Sequence, residues 1–570
     1  MVNKIFGIAL LFLIMGGGIL IHLNCAGQFP PTYGPPDTVP PQIITTYPLP
    51  KTINFNEEKL HLEFSKYVDH RSVEQSIFFS PNLGKVKYNW GGKGVDIEYR
   101  SKLRPNTTYI MTIGTDVIDL HNNRMAKAFS LPFSTGNKID TASITGRVFD
   151  RSPEGIMIYA FDLQYKHPDT LDPSINKPDY LTQTGKDGSF ILPYLKVGMY
   201  RVMAVRDEYK NFQYDRQVDE YGLLPRDVVL TNDSSHKVNM QFRLTKEDTT
   251  RPFLAKVLST DKNHVVIRFS KVIDTTSLKL QYIRVFDTLT QATLDLKDIS
   301  VFGDSAIAAQ LITADQEKDK GYRIIVTNLQ DLKGNSIFLN PGGTVFTGES
   351  APDTIKPKVK ITNIIEGSKN VDAGDSFFIA FDKPIVTSMF EHGFTITDSG
   401  KTKVDGAFSW WGSTKTVFIP AHPYRYSMPY IIKINLDSVR DVPAHNHYKD
   451  STLSIHFQTI AQSILSSVSG EVIDEAASAS GNIVINLFPV NAVITKTKQQ
   501  ILSKPGPFSF ENVPEGTYSF FVFRDTDGNG RYTFGRPYPF QPAERFSVYK
   551  DTLKLRARWP LEGVVLRLKP

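Results

Sequence analysis

The sequence predicts an all-β chain built from tandem β-sandwich modules, and three observations carry that expectation. A phrase repeats: Asp37-Thr38-Val39-Pro40-Pro41 returns as Asp248-Thr249-Thr250-Arg251-Pro252 and as Asp353-Thr354-Ile355-Lys356-Pro357. Each copy is followed by apolar residues alternating with polar ones, the period-2 pattern of strands buried on one face. The chain is also rich in Phe (37) and Tyr (24) and carries 35 Pro and 38 Gly, a balance that favours many short strands and turns. At 570 residues it is too long for one core, so several domains are expected.

Residues 1–24 read as an export signal. A short basic start (Met1-Val2-Asn3-Lys4) precedes an apolar run from Ile5 to Leu23 and a small-residue exit. Cys25, the only cysteine of the chain, follows. With no second thiol it cannot form a disulfide within the chain. His22-Leu23-Asn24-Cys25 resembles the lipobox of bacterial lipoproteins, although Asn24 stands where a smaller residue is usual and Leu23 lies one place nearer the cysteine. The resemblance implies covalent lipid, palmitate included, on Cys25. The other reading keeps the apolar run as an uncleaved membrane helix, since residues 5–23 at about 1.5 Å each nearly span a bilayer. Residues 25–41 hold six prolines. Proline removes the amide donor and fixes φ, so this segment is expected to be an extended spacer.

Three segments, 42–136, 252–348 and 357–460, share a pattern. A Phe-centred strand comes first: Leu62-Glu63-Phe64-Ser65-Lys66, Ile267-Arg268-Phe269-Ser270-Lys271 and Ile379-Ala380-Phe381-Asp382-Lys383. A Tyr-bearing strand follows, starting at Tyr109, Tyr322 and Tyr430, then an Asp turn at Asp119, Asp331 and Asp441. The closing strands carry Phe133, Phe346 and Phe457. Tyr88-Asn89-Trp90-Gly91-Gly92-Lys93 and Trp410-Trp411-Gly412-Ser413-Thr414-Lys415 read as corresponding hairpins. This pattern resembles the bacterial Ig-like domain of S-layer-type envelope proteins, which implies a fold and not an activity.

The segments between hold a second repeat, residues 142–247 and 463–570. Ser143-Ile144-Thr145-Gly146-Arg147-Val148-Phe149-Asp150 matches Ser467-Val468-Ser469-Gly470-Glu471-Val472-Ile473-Asp474, and both copies reach a Gly-x-Tyr and an Arg-Asp pair: Gly198-Met199-Tyr200 with Arg206-Asp207, and Gly516-Thr517-Tyr518 with Arg524-Asp525. This resembles the prealbumin-like sandwich of carboxypeptidase regulatory domains. The whole order is similar to that of multi-domain envelope lipoproteins of Gram-negative bacteria. It implies five sandwiches extending from the membrane as a rod or bent arm.

Chemistry has few candidates. Asp525-Thr526-Asp527-Gly528-Asn529-Gly530 fits the start of a calcium loop, with oxygens at positions one, three and five. Its twelfth position is Arg536 where a bidentate Glu is needed, and Asp, Asn and Gly also build tight turns without metal. Asp525, Asp527 and Asn529 are therefore candidate ligands with a turn as the competing reading. His445 and His447 offer two imidazoles and no visible third ligand. Trp410 and Trp411 are neighbours on a strand and point to opposite faces, so one is expected to face outward as a binding surface for sugar rings. Asp-Thr and Asp-Ser triplets such as Asp287-Thr288-Leu289 are similar to O-glycosylation sites, or simply mark linkers and strand starts.

The signature motifs of serine hydrolases, zinc proteases, phosphate loops and dinucleotide folds do not occur, and the net charge of +6 is spread without a basic stripe. The expectation is a non-enzymatic lipoprotein without cofactor, held in the outer membrane by lipid at Cys25, with calcium as a minor alternative. It would face the periplasm and serve as an envelope scaffold or protein-interaction module. The alternative is a cell-surface glycan-binding or adhesive lipoprotein. The partners implied are envelope proteins or glycans and the membrane itself, and no nucleic acid.

Overall fold

The computed structural model describes residues 37–570 except 82, 165, 302–305, 341, 477–479, 494–495, 550–551 and 570. The export signal, Cys25 and most of the spacer lie outside the described residues. The chain divides into two compact units, 1–139 and 140–570. Both are all-β, as expected, and no helix among the described residues is long and apolar enough to cross a membrane.

The first unit holds the first Ig-like module. One sheet orders the strands Ile43–Tyr47, Lys59–Phe64, Gly94–Tyr99 and Val86–Gly91, and the other orders Ile77–Ser80, Thr108–Ile113 and Phe129–Ser134. Alternation does what period-2 geometry requires: Leu60, Leu62 and Phe64 are buried while Lys59 is exposed. They meet Val95, Ile97, Met111 and Phe133 in one core. The one feature not anticipated is a short helix, His70–Ser76, capped by Asp69, whose carboxylate accepts the Ser72 amide at 2.7 Å.

The second unit contains four sandwiches, each with its own core. The two outer ones, from the second repeat, bring together segments far apart in sequence by parallel pairing. Ala142–Phe149 pairs with His236–Arg243, and Leu465–Asp474 with Leu561–Leu568. The shared glycine sits at the closest approach. A Cβ on Gly146 would lie 2.1 Å from the Met240 carbonyl oxygen, and on Gly470 1.9 Å from that of Val564. The tyrosines close corners. Tyr200 donates to the Lys196 carbonyl at 2.8 Å and Tyr518 to that of Pro514 at 2.9 Å. In the Ig-like modules Tyr109, Tyr322 and Tyr430 accept the amides of Arg104, Glu317 and Arg425, each five residues upstream.

Within residues 140–570 the modules are not a straight string, which departs from the rod, one of the two forms expected. The first and the last pack on each other. Phe149 meets Phe546 edge to face, the Tyr221 hydroxyl donates to the Gly535 carbonyl at 2.8 Å, and the Arg201 guanidinium lies 3.5 Å over the Phe540 ring. Arg243 stands 4.3 Å over Phe521 with Tyr532 and Phe534 around it. The physical reason is composition at a distance. Residues 521–546 concentrate aromatic rings that their own core does not enclose, and arginines of residues 142–247 cover them through cation–π contacts.

Candidate functional site

Each repeated Asp-Thr/Thr-x-x-Pro phrase is the strap of a latch, and the latch is the same in all three Ig-like modules. Lys66 Nζ bonds the strap carboxylate of Asp37 at 2.6 Å, the strap carbonyl of Val39 at 2.7 Å and the turn carboxylate of Asp119 at 3.1 Å. Lys271 does this with Asp248, Thr250 and Asp331 at 2.5, 2.8 and 2.6 Å. Lys383 does it with Asp353, Ile355 and Asp441 at 2.5, 2.6 and 3.2 Å. An asparagine completes each set. Asn123, Asn335 and Asn446 donate both to the backbone carbonyl of the strap aspartate and to the turn carboxylate. Burial pushes Asp119 upward, but bonds from Asn123, His121 and Lys66 outweigh it and hold the pKa at about 2. The strap aspartates also accept the amide two residues on, at Val39, Thr250 and Ile355. That is the Asx-turn geometry of a linker start, and it gives these triplets a structural role that does not need a sugar.

The third strap also touches the module before it. His264 is fully buried, with Nδ1 2.9 Å from both Asp261 oxygens and Nε2 2.8 Å from the Val442 carbonyl of the next module. Both partners accept, a geometry that favours protons on both ring nitrogens and the imidazolium form. Burial works against that charge. The bonds to Asp261 and Val442 and the nearby Asp353 outweigh it and raise the pKa above the ordinary 6.5. Beside it, Ser413 donates to Asp298 at 2.8 Å and Thr414 to the Val301 carbonyl at 2.7 Å. Nothing in the sequence flags His264 as a junction residue, because its partner lies 178 positions away.

The Asp525 loop is a self-contained turn. Asp525 accepts the amides of Gly528, Asn529 and Gly530, and Asp527 accepts the Asn529 amide and the Thr533 hydroxyl. The carbonyl oxygen of the Asn529 side chain accepts the Arg531 amide at 2.6 Å. Arg536 does not close the loop but pairs through its backbone with Gln541. The carboxylate that does reach it is Glu544, which the twelfth-position rule misses. It is buried and accepts the Thr526 amide at 2.6 Å and the Thr533 amide at 3.0 Å. Asp525, Asp527 and Glu544 each bring an oxygen within 4.8 Å of the others. Burial pushes Glu544 above its ordinary range, with the proximity of Asp527 adding to it. All six carboxylate oxygens already accept a proton donor from the loop itself, which favours the turn reading over calcium.

Trp410 and Trp411 part company. Trp410 packs against Phe381 and Phe390 and donates to Glu391 at 2.7 Å. Trp411 is 56% exposed on the edge strand Gly406–Trp411, with the Phe378 ring 6.5 Å away. In the first module Trp90 repeats the Trp410 role, stacked on His70 and donating to Glu74 at 3.0 Å, and Gly91 takes the Trp411 position. The outward tryptophan is thus a feature of the third module alone among these two hairpins. His447 bonds Asp437 and the His445 carbonyl. Neither histidine joins a three-ligand cluster among the described residues.

Residues 37–135 and 353–459 match the family model of the bacterial Ig-like domain, and residues 252–348 lie outside both matched segments. No curated protein matches the chain. Among solved structures, the N-terminal part of the bacterial S-layer protein SbsC is similar at 13% identity, over 37% of this chain and 44% of that one, with a TM-score of 0.17. The chain therefore spans less than half the length of that protein. L,D-transpeptidase 1 of Mycobacterium tuberculosis is similar at 11% identity, over 32% of this chain and 82% of that one, TM-score 0.16. The I9–I11 tandem of titin is similar at 8% identity, over 56% of this chain and 98% of that one, TM-score 0.12.

Proposed function

We propose that the protein is a non-enzymatic lipoprotein of the outer membrane, anchored by acyl chains at Cys25 and facing the periplasm, where it acts as an envelope scaffold for other proteins. The observation that carries the scaffold reading is the latch. A linker free to swing would leave its module independent. Here each linker phrase is held by a lysine, an asparagine and an aspartate of the module that follows, so the connections are geometric parts rather than tethers. Such construction suits a body that holds binding surfaces at fixed positions. The anchor reading rests on the sequence around Cys25, where each buried methylene of an acyl chain contributes about 0.8 kcal/mol and more than one chain is needed for firm attachment.

Affinity capture of the tagged chain from membranes, followed by identification of what co-purifies, tests the function. An envelope protein recovered in stoichiometric amount supports the scaffold, and capture of polysaccharide alone sinks it. For the anchor, Cys25→Ala is expected to abolish incorporation of labelled palmitate, and persistent label refutes the lipid site. Protease treatment of whole cells that removes the protein would move it to the cell surface. A second reading, glycan binding, is favoured by Trp411, an exposed indole on a sheet edge.

A further inference from the structure

A pocket of about 290 Å³ lies in the seam between the first and last modules of residues 140–570. Its floor is apolar: Leu224, Val228 and Phe546 are buried and Met240 is half-buried. Three cations also line it, Arg226, Lys237 and Lys569. Lys237 Nζ donates to the Ser234 hydroxyl at 2.8 Å, and no carboxylate among the described residues pairs with any of the three. The other charges at the pocket are already matched. Asp227 accepts two bonds from the Arg201 guanidinium, both 3.0 Å. Arg545 gives two bonds of 2.7 Å to Asp474, and Glu544 accepts the Thr526 and Thr533 amides. What is left over is positive charge beside an apolar floor. Lys237 and Lys569 are half-buried, where water and salt screen less than on an open surface.

The pocket also holds an unmet acceptor. The side-chain oxygen of Gln241 is buried and has no donor among the described residues. Its direction follows from the strand His236–Arg243. Phe242 turns into its own module's core, and Gln241 and Arg243 take the other face, where Arg243 lies over Phe521 of the last module. The last module's copy of this strand is Leu561–Leu568. Gln241 stands opposite Arg147 and Val565 opposite Glu471, so these two positions correspond. Lys237 stands opposite Ile144 and Leu561 opposite Val468, so these two correspond as well. The last module keeps apolar residues at both points, and Val565 is exposed. The first module places an ammonium and an amide there, and the seam encloses the amide oxygen. A polar atom shut away from water without a partner is costly, and a ligand N–H would relieve it. A donor for Gln241, an anion for the cations and an apolar group for the floor coincide in the last residue of a peptide.

We propose that the seam pocket binds the free C-terminal end of a peptide whose last residue is apolar. The side chain of that residue rests on Leu224, Val228 and Phe546. Its carboxylate lies among Lys237, Lys569 and Arg226, and its backbone N–H donates to the Gln241 side-chain oxygen. Capture of a terminal carboxylate is a recurring mode of peptide recognition. The volume is near the lower bound of about 300 Å³ for ligand sites, enough for the end of a chain and not for a folded surface. Such a pocket lets a scaffold hold the end of a client chain. The scaffold reading does not hang on it, because that reading is tested by co-purification from membranes.

The test uses the full chain and an N-acetylated dipeptide ending in leucine, at millimolar concentration, read by hydrogen exchange. A ligand at ten times its dissociation constant slows exchange through an opened site about tenfold. Slowing of that order is expected in segments 224–229 and 544–546. The same dipeptide with its carboxylate converted to an amide should bind at least about tenfold more weakly, the loss of one charge-assisted bond. Lys237→Glu should abolish the slowing by the carboxylate form. Should that chain fail to fold, Arg226→Glu, changed at an exposed side chain, carries the same expectation. Gln241→Leu should weaken the dipeptide and leave decanoate, which has no N–H, unaffected. Absence of slowing overturns the proposal, as does equal slowing by the amide form or slowing that survives the charge reversals. Decanoate protecting the parent chain as well as the dipeptide also overturns it, because the pocket is then a site for a lipid chain.

Discussion

Replacing Lys383 by Met removes a cation from between two carboxylates that are almost completely enclosed. The side chains of Asp353 and Asp441 are 4% and 0% exposed. Methionine keeps much of the aliphatic stem and cannot donate. Two negative groups then face each other with only His264, 3.9 Å from Asp353, left as a nearby cation, and breaking a buried pair in this way costs about 3–5 kcal/mol. The same substitution at Lys66 or Lys271 is gentler, because the strap carboxylates Asp37 and Asp248 are each 36% exposed and can turn to water. The turn carboxylates there keep amide donors of their own loops, from His121 and Asn123 and from Lys333 and Asn335. About 1–3 kcal/mol is expected at those two sites, the penalty of a buried polar group short of one partner. Urea unfolding followed by pulsed hydrogen exchange reads each module by its own peptides. The third module should lose the most. Asp353→Asn and Asp441→Asn, added together to Lys383→Met, should recover part of the loss by removing the stranded charges. Equal losses under about 0.5 kcal/mol at all three lysines would refute the reasoning, since that is how exposed ion pairs behave.

Other expectations follow from the same geometry. Gly470→Ala should cost several kcal/mol and speed amide exchange in Leu465–Asp474 and Leu561–Leu568, because its Cβ would stand 1.9 Å from a carbonyl oxygen; a melting temperature within one degree of the parent would contradict the close approach. His264, whose folded pKa is raised, contributes stability that is complete below its ordinary value of 6.5 and fades as pH rises through the folded value. The gap in melting temperature between the parent and His264→Gln should therefore narrow as the pH is raised, and a pH-independent gap would show that the imidazole is neutral. Trp410→Ala should destabilise the third module by about 3–5 kcal/mol, while Trp411→Ala leaves stability unchanged and, on the glycan reading, removes polysaccharide binding in a pull-down. Melting of the chain in millimolar calcium and in chelator should coincide, since a site at one hundred times its dissociation constant would add about 2.7 kcal/mol. A rise that disappears in Asp527→Ala would make the loop a metal site.

The parts of this fold that obey a local rule were legible in the sequence. Alternation placed Leu60, Leu62 and Phe64 in a core. The Phe-Ser-Lys motif, the Asp turn and the Asp-Thr strap were each visible as recurring words. Their meeting on one lysine was not, because Lys271 and Asp331 are sixty residues apart and charged residues carry no periodicity that announces a partner. The same holds for Glu544. The calcium-loop rule looks twelve positions along a continuous segment, and the carboxylate that arrives comes from beyond a turn. Arg206 and Arg524 end the two copies of the second repeat. Their bonds to Asp150 and Asp474, the other repeat ending, appear only when the strands are laid side by side. The packing of the first on the last module of 140–570 left no mark at all, because aromatic residues such as Phe521 and Tyr532 look the same in a sequence whether they fill a core or a seam.

That seam changes how residues 140–570 would respond to being pulled. In a string of sandwiches, tension passes through every linker and the weakest module yields first. Here the two end modules grip each other, so a load applied near residues 140 and 570 is carried across their shared face, through Phe149 against Phe546, Arg201 on Phe540 and Arg243 over Phe521. The two Ig-like modules between them lie on a parallel path, joined by latched linkers and tied to the last module through Lys496 and Asp375, and share that load with the seam.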